Sequence, residues 1–135
     1  MPNIRTLNPK KYSISKHRFR EVYHFAMQYN EWKAEIIKLM GSKAFVLSDM
    51  PKAHSTVSPT EEAAVRIHDL HDKCRVIEET AYEVGDGLSE YLLKAVTNEG
   101  YTYNYLRMRH RIPCGRNVFY RIRREFYYQL SKKIK

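Results

Sequence analysis

Arginines, tyrosines and an asparagine crowd the stretch from Ile112 to Lys133, which reads IPCGRNVFYRIRREFYYQLSKK. An arginine guanidinium bonds guanine or phosphate in two-pronged fashion, asparagine does the same to adenine, and tyrosine donates to a phosphate while stacking on sugar. As a helix from Gly115 to about Lys132, the stretch sets Phe119, Ile122, Phe126 and Leu130 on one side. Arg116, Asn117, Tyr120, Arg121, Arg123 and Arg124 are left to face outward. Residues near the start of a recognition helix reach base edges, so Arg116, Asn117, Tyr120 and Arg121 are the candidates for reading double-stranded DNA. Arg124, Lys132 and Lys133 come later and, with Arg107, Arg109 and Arg111 around the preceding turn, are candidates for its backbone. A merely solvated face, favoured by the negative end of the helix dipole, suits Lys132, Lys133 and Lys135. It does not suit the arginines at the helix start, where the dipole disfavours positive charge.

Such a surface has to be held by other elements. Residues 88–98 read as a short helix with Leu88, Tyr91, Leu92, Ala95 and Val96 on its buried side. Thr102 can cap a second over YNYLRMRHR, and Ile112 with Pro113 makes a turn before the third. Three helices with a short turn before the last, within about 45 residues, are the layout of a helix-turn-helix, whose second motif helix enters the major groove. The unit expected is 88–133, with its recognition helix at about 115–131.

Upstream, Val22, Phe25, Tyr29, Trp32, Ile36 and Leu39 recur at spacings of three and four, which predicts one helix from Ser13 or Ser15 to a stop at Gly41. SPTE at Ser58 to Glu61 carries a capping signature: Ser58 as cap, Pro59 at the first helical position and Glu61 reaching back. The helix it starts places Ala63, Ile67, Leu70, Cys74, Ile77, Ala81 and Val84 in alternating steps of four and three, the repeat of a coiled-coil seam. GDG at Gly85 to Gly87 ends it. Residues 13–84 are therefore expected as an antiparallel helical hairpin, with a mobile connection over 42–57 that is partly disordered around Met50 to Thr56. No segment alternates like a strand, so the chain is expected to be all-α.

The net charge of +9 is unevenly placed. Residues 1–60 carry ten Lys/Arg and four Asp/Glu, residues 61–100 four and ten, and residues 101–135 ten and one. A segment as basic as the last, patterned as a folded helix, points to nucleic acid before membrane. No apolar run approaches the roughly 20 residues of a membrane span, and the start lacks a signal-peptide core. Cys74 and Cys114 stand far apart without paired spacing, as in a reducing compartment.

Other chemistry finds less support. His68, His71 and Asp72 share helical neighbour positions, but a metal needs ligands from elsewhere, and a solvated face accounts for them. The Glu61/Glu62 and Glu78/Glu79 pairs point in different directions on a helix. No glycine-rich phosphate loop, nucleophile elbow or Ser/His/Asp arrangement is visible. Neither enzyme activity, metal nor other cofactor is expected.

SPTEEAA leading into a long helix, followed by YLLKAVTNEGYTYNYLRMRHRIPCGRNVFYRIRREFYYQL, resembles late transcriptional regulators of phages of Gram-positive hosts, the RinA and ArpU type. The likeness covers about residues 50–133. It implies a C-terminal part similar to sigma-factor region 4, with YTYNYL as the positioning helix and IPCGRNVFYRIRREFYYQL as turn and recognition helix. Pro113 and Cys114 stand where a Ser or Thr cap is common in such turns, and Phe126, Tyr127 and Tyr128 where small and aliphatic residues are more usual.

The expectation is thus a phage-encoded, sequence-specific transcription regulator, cytoplasmic in the bacterial host. It is expected to be a homodimer, its hairpin serving self-association or contact with host RNA polymerase. Two alternatives are a small-terminase-like DNA packaging subunit and a phage inhibitor that binds a host nucleic-acid-binding protein.

Overall fold

The computed structural model describes residue 7 and residues 11–49 and 57–135, without the side chains of 42–49 and 57–60. The fold is all-α, and no strand occurs among the described residues. Among the described residues six helices follow one another: α1 Lys16–Met27, α2 Tyr29–Asp49, α3 Val57–Gly85, α4 Ser89–Thr97, α5 Tyr103–His110 and α6 Arg116–Lys133. The sequence of the connection expected to be disordered, Met50 to Thr56, lies outside the described residues.

The single N-terminal helix expected from the apolar stripe is two helices. Ser15 caps the first, its hydroxyl accepting the Arg18 N–H at 3.0 Å. At Gln28 the backbone N–H bonds Phe25 O, three residues back, at 3.2 Å. The side-chain Nε2 of Gln28 takes the His24 carbonyl instead, also at 3.2 Å. That exchange tightens the last turn and ends α1 without proline or glycine. Gly41, expected as the stop, lies inside α2, which continues to Asp49. A glycine within a helix costs only about 1 kcal/mol relative to alanine, so it permits a stop without imposing one.

The contacts divide the chain into two compact units, residues 1–28 with 76–135, and residues 29–75. This differs from the division expected from the sequence, 13–84 and 88–133, in two places. The first helix of the chain joins the C-terminal helices, and α3 contributes to both units.

Within residues 29–75 the two helical segments run antiparallel. The Lys73 ammonium lies over the Trp32 ring at 5.3 Å, and Arg66 Nε meets Glu35 Oε2 at 2.8 Å. Tyr29, Trp32, Ile36, Leu70 and Cys74 are buried there, so the pairing rests on positions at helical spacing in both segments. The hairpin expected from the seam exists, then, in its outer half.

In the larger unit α1 packs on α4 and α6, and α4 and α5 also pack on α6. The Phe19 ring meets Tyr127 edge-on at 5.1 Å between centroids. Val22, Ala26, Ile77, Ala81, Leu92, Val96, Phe126 and Leu130 are also buried in this unit. Thr80 and Thr97 are buried there without loss, because each hydroxyl donates to the carbonyl four residues back at 2.6 Å. A neighbouring cluster of Ala95, Tyr103, Leu106, Ile112 and Phe119 joins α4, α5, the turn and the start of α6. No described helix is long and apolar enough to cross a membrane.

Candidate nucleic-acid interface

The surface is built from the turn outward. Thr102 accepts the Tyr105 N–H at 3.2 Å and so starts α5. The helix ends with Arg111 in the left-handed region, φ 53° and ψ 48°. The N–H of Ile112 then bonds back to Leu106 O at 3.3 Å, and both side chains are buried in one cluster. A left-handed residue followed by an apolar contact back onto the helix is common in helix endings built on glycine, although this bond spans six residues, one more than the bond of a Schellman ending. An arginine holds the left-handed position here.

One further contact fixes the turn. The Tyr103 hydroxyl donates to Cys114 O at 2.7 Å. Burial pushes the Cys114 thiol above its ordinary range, which disfavours the reactive thiolate. Gly115 then caps α6 without a side-chain bond, in extended backbone. With Pro113 and Cys114 in place of a Ser or Thr cap, the turn closes through a tyrosine from the preceding helix.

Helix α6 buries Phe119, Ile122, Phe126, Tyr127 and Leu130. Asn117, Arg121 and Arg124 are exposed. At steps of four and three they share one face. None of the three carries an ion pair among the described residues. Desolvated pairing does not consume this basic stripe, and its charge is available to a partner.

Arg116 is placed differently. Its Nη2 donates to Asn104 Oδ1 at 2.7 Å, and the guanidinium lies 5.3 Å from the Tyr103 ring centroid. One prong is thus held by α5, while the other donors of the five-donor fork stay exposed. Tyr120 is half-buried, with Arg123 over its ring at 5.7 Å and over Tyr127 at 5.9 Å. Arg123, expected to face outward, is half-buried against these two rings. Its spacing of three and four from Tyr120 and Tyr127 was the available signal.

The expected backbone contacts also separate. Arg107, Arg109 and Arg111 are exposed and carry no ion pair among the described residues. Lys132 sits over the Tyr128 ring at 4.3 Å. Lys133 is bound to both oxygens of Glu83, at 2.8 and 2.9 Å. A lysine so held ties α6 to α3 and is a poor donor to a phosphate. The residues brought together around one face are therefore Asn117, Arg121 and Arg124, with Arg116 and Tyr120 on its flank.

No protein-family model, curated protein or solved structure matches the chain. His68 Nδ1 lies 3.4 Å from Asp72 Oδ2, an exposed helical pair, and no group of three or more metal-ligating side chains occurs among the described residues.

Proposed function

We propose that the chain is a sequence-specific DNA-binding protein, a transcription regulator of the late phage type that its C-terminal sequence resembles. In this reading α5, the turn at 111–115 and α6 form the helix-turn-helix, and α6 lies in the major groove. The observation that carries it is the exposed face of Asn117, Arg121 and Arg124, free of ion pairs among the described residues and lying opposite the buried Phe119, Ile122, Phe126 and Leu130. A helix whose apolar side is anchored and whose other side offers forked donors is suited to reading a groove.

Asn117 and Arg121 are assigned to base edges, with Tyr120 beside them. Arg116, braced by Asn104, approaches the first phosphate or base at the helix start, and Arg107, Arg111 and Arg124 contact the backbone. The role is binding, without chemistry on the ligand, in the host cytoplasm. The hairpin at 29–75 serves association with a second copy or with the host polymerase.

Selection of duplexes from a random pool, followed by gel shifts at fixed salt, tests the reading. A selected duplex should bind far more tightly than a random one, and Asn117→Ala or Arg121→Ala should each cost about 1–3 kcal/mol on the selected sequence. Equal affinity for selected and random duplexes, unmoved by either substitution, would remove the proposal.

A further inference from the structure

In the unit of residues 1–28 and 76–135, three large apolar side chains are exposed among those described: Tyr82 at 78%, Met108 at 81% and Tyr105 at 38%. They fall into two patches of opposite charge. Tyr82 lines a shallow depression on α3 with Glu78, Glu79 and Glu83. Tyr105 and Met108 lie on α5 with Arg109, at steps of three and four that place all three on one face. Asn104 and Arg107 belong to the neighbouring face, where Asn104 meets Arg116 of α6.

Each patch has the makings of a docking surface. Tyrosine, methionine and arginine are enriched at the centres of protein interfaces. The Tyr105 ring is held 4.7 Å from Tyr101 and 5.8 Å from His110, so little side-chain freedom remains to be lost on binding. Arg109 carries no ion pair among the described residues, and neither does Glu79. The acidic depression offers an aromatic face and carboxylates, which suit a guanidinium and a thioether.

One chain cannot join its own two patches. Glu83 is bound to Lys133 and Asn104 to Arg116, the last and first residues of α6. These ends are roughly 25 Å apart by the rise of an α-helix.

We propose that the two patches bind each other between copies of this chain, with Tyr82 and Glu79 of one copy receiving Tyr105, Met108 and Arg109 of the next. The contact is head-to-tail. Each copy offers one patch of each kind, so association closes at the dimer where two copies exchange both patches about a two-fold axis and otherwise runs on to a larger ring or a row. On DNA this would align neighbouring copies. The contact itself needs no DNA, so its test is independent of the DNA reading. It assigns Arg109 to the neighbouring copy in place of the phosphate expected from the sequence.

Sedimentation velocity on the nuclease-treated full chain over a concentration series provides the test, with Tyr82→Ser and Met108→Ser as variants. Both side chains are mostly exposed, and unchanged thermal unfolding would certify the fold. The wild-type chain should grow in mass with concentration. Each variant alone should lose that growth, with association weakened at least about tenfold. Mixed together, the two variants retain one intact patch each and should form a single mixed complex that grows no further. A hairpin-mediated dimer would persist in every sample and would not respond to mixing. The charge exchange Glu79→Arg with Arg109→Glu in one chain should restore the growth that either change alone removes. Absence of growth in the wild type, growth surviving in either serine variant, or failure of the mixture to form its complex would each overturn the proposal.

Discussion

Arg18 of α1 donates through Nη2 to the carbonyl oxygen of Ile134 at 2.6 Å, beyond the last residue of α6. The same nitrogen reaches Ser131 O at 2.9 Å, and Nη1 reaches Lys135 O at 3.2 Å. The final carbonyls of a helix have no partner within it and carry the negative end of its dipole, and this guanidinium satisfies one of them, Ser131 O, together with the two carbonyls that follow the helix. Arg18→Ala should therefore lower the stability of the larger unit by about 2 kcal/mol, the scale of hydrogen bonds to a charged group. Arg18→Lys should recover only part of it, since an ammonium lacks the planar fork. Urea unfolding followed by circular dichroism measures both, and an unchanged midpoint for the alanine variant would refute the clamp.

Arg111 occupies the left-handed conformation at the end of α5, which glycine adopts without steric cost. Arg111→Gly should stabilise the fold, by up to about 1 kcal/mol. If Arg111 also meets a phosphate, the same change should weaken DNA binding for selected and random duplexes alike. A paired measurement of thermal unfolding and duplex affinity separates these effects. A lowered melting temperature would show that the arginine side chain supports the turn in some other way.

Local signals in the sequence located several elements, and tertiary choices were beyond them. Thr102 was legible as a cap, and Ser15 as one of two candidate helix starts, because a hydroxyl three residues before an N–H is a relation within one turn. GDG was legible because Asp86 and Gly87 both adopt positive φ, leaving α3 no continuation. The buried positions Phe119, Ile122, Phe126 and Leu130 of α6 followed from spacing, whereas the burial of Tyr127 and the half-buried place of Arg123 did not. The break at Gln28 was not legible, because a side-chain amide replaces a backbone donor there without proline or glycine. Nor was the partner of α1. Its stripe of Val22 and Phe25 suits pairing with the seam of α3, but Phe19, Tyr23 and Ala26 broaden the buried face toward α4 and α6. The brace of Arg116 by Asn104 joins residues on two helices whose relative placement no periodicity specifies.

Tyr127 is almost wholly buried, and burial pushes its hydroxyl up to about 12. No aligned partner meets that hydroxyl or the Tyr23 hydroxyl among the described residues, although the nearby Arg123 charge counters part of the shift at Tyr127. Tyr23 is also raised, first by burial and then by Glu99. For a phenol with a raised folded value, the folded chain holds its proton after the unfolded chain has released it. Stability is then fully present below about pH 10 and lost as pH rises through about 12. Tyr127→Phe should flatten that alkaline loss while costing little at neutral pH, since it removes a buried hydroxyl without a well-made bond. Equal alkaline sensitivity in the wild type and the variant would refute it.

In the smaller unit the hydrogen bond from Arg66 holds the Glu35 carboxyl below its ordinary range. A depressed carboxyl stabilises the folded state above the ordinary glutamate value, about 4.3, and loses that contribution as pH falls through the lower folded value. Both side chains remain substantially exposed, so the effect should shrink in high salt. Glu35→Gln should reduce the acid sensitivity of the hairpin, which hydrogen exchange of the amides between 29 and 75 can follow. Identical exchange profiles across the acid range would remove the pair from any account of hairpin stability.

Arg124 and Lys133 lie near one another in sequence and carry the same charge, but the structure gives them different surroundings. Arg124 is exposed without an ion pair among the described residues, whereas Lys133 is bound to both oxygens of Glu83. Neutralising a phosphate releases counterions, so each lost phosphate contact lowers the steepness of log K against log salt by about 0.9 on duplex DNA. Arg124→Ala should reduce that slope by about one contact and weaken all duplexes to a similar degree. Lys133→Ala should leave the slope unchanged and instead loosen the attachment of α6 to α3. Duplex affinities measured across a salt series decide between these roles. A slope lowered by Lys133→Ala but not by Arg124→Ala would place the phosphate contact at the lysine, and the Glu83 bond would then have to open when DNA binds.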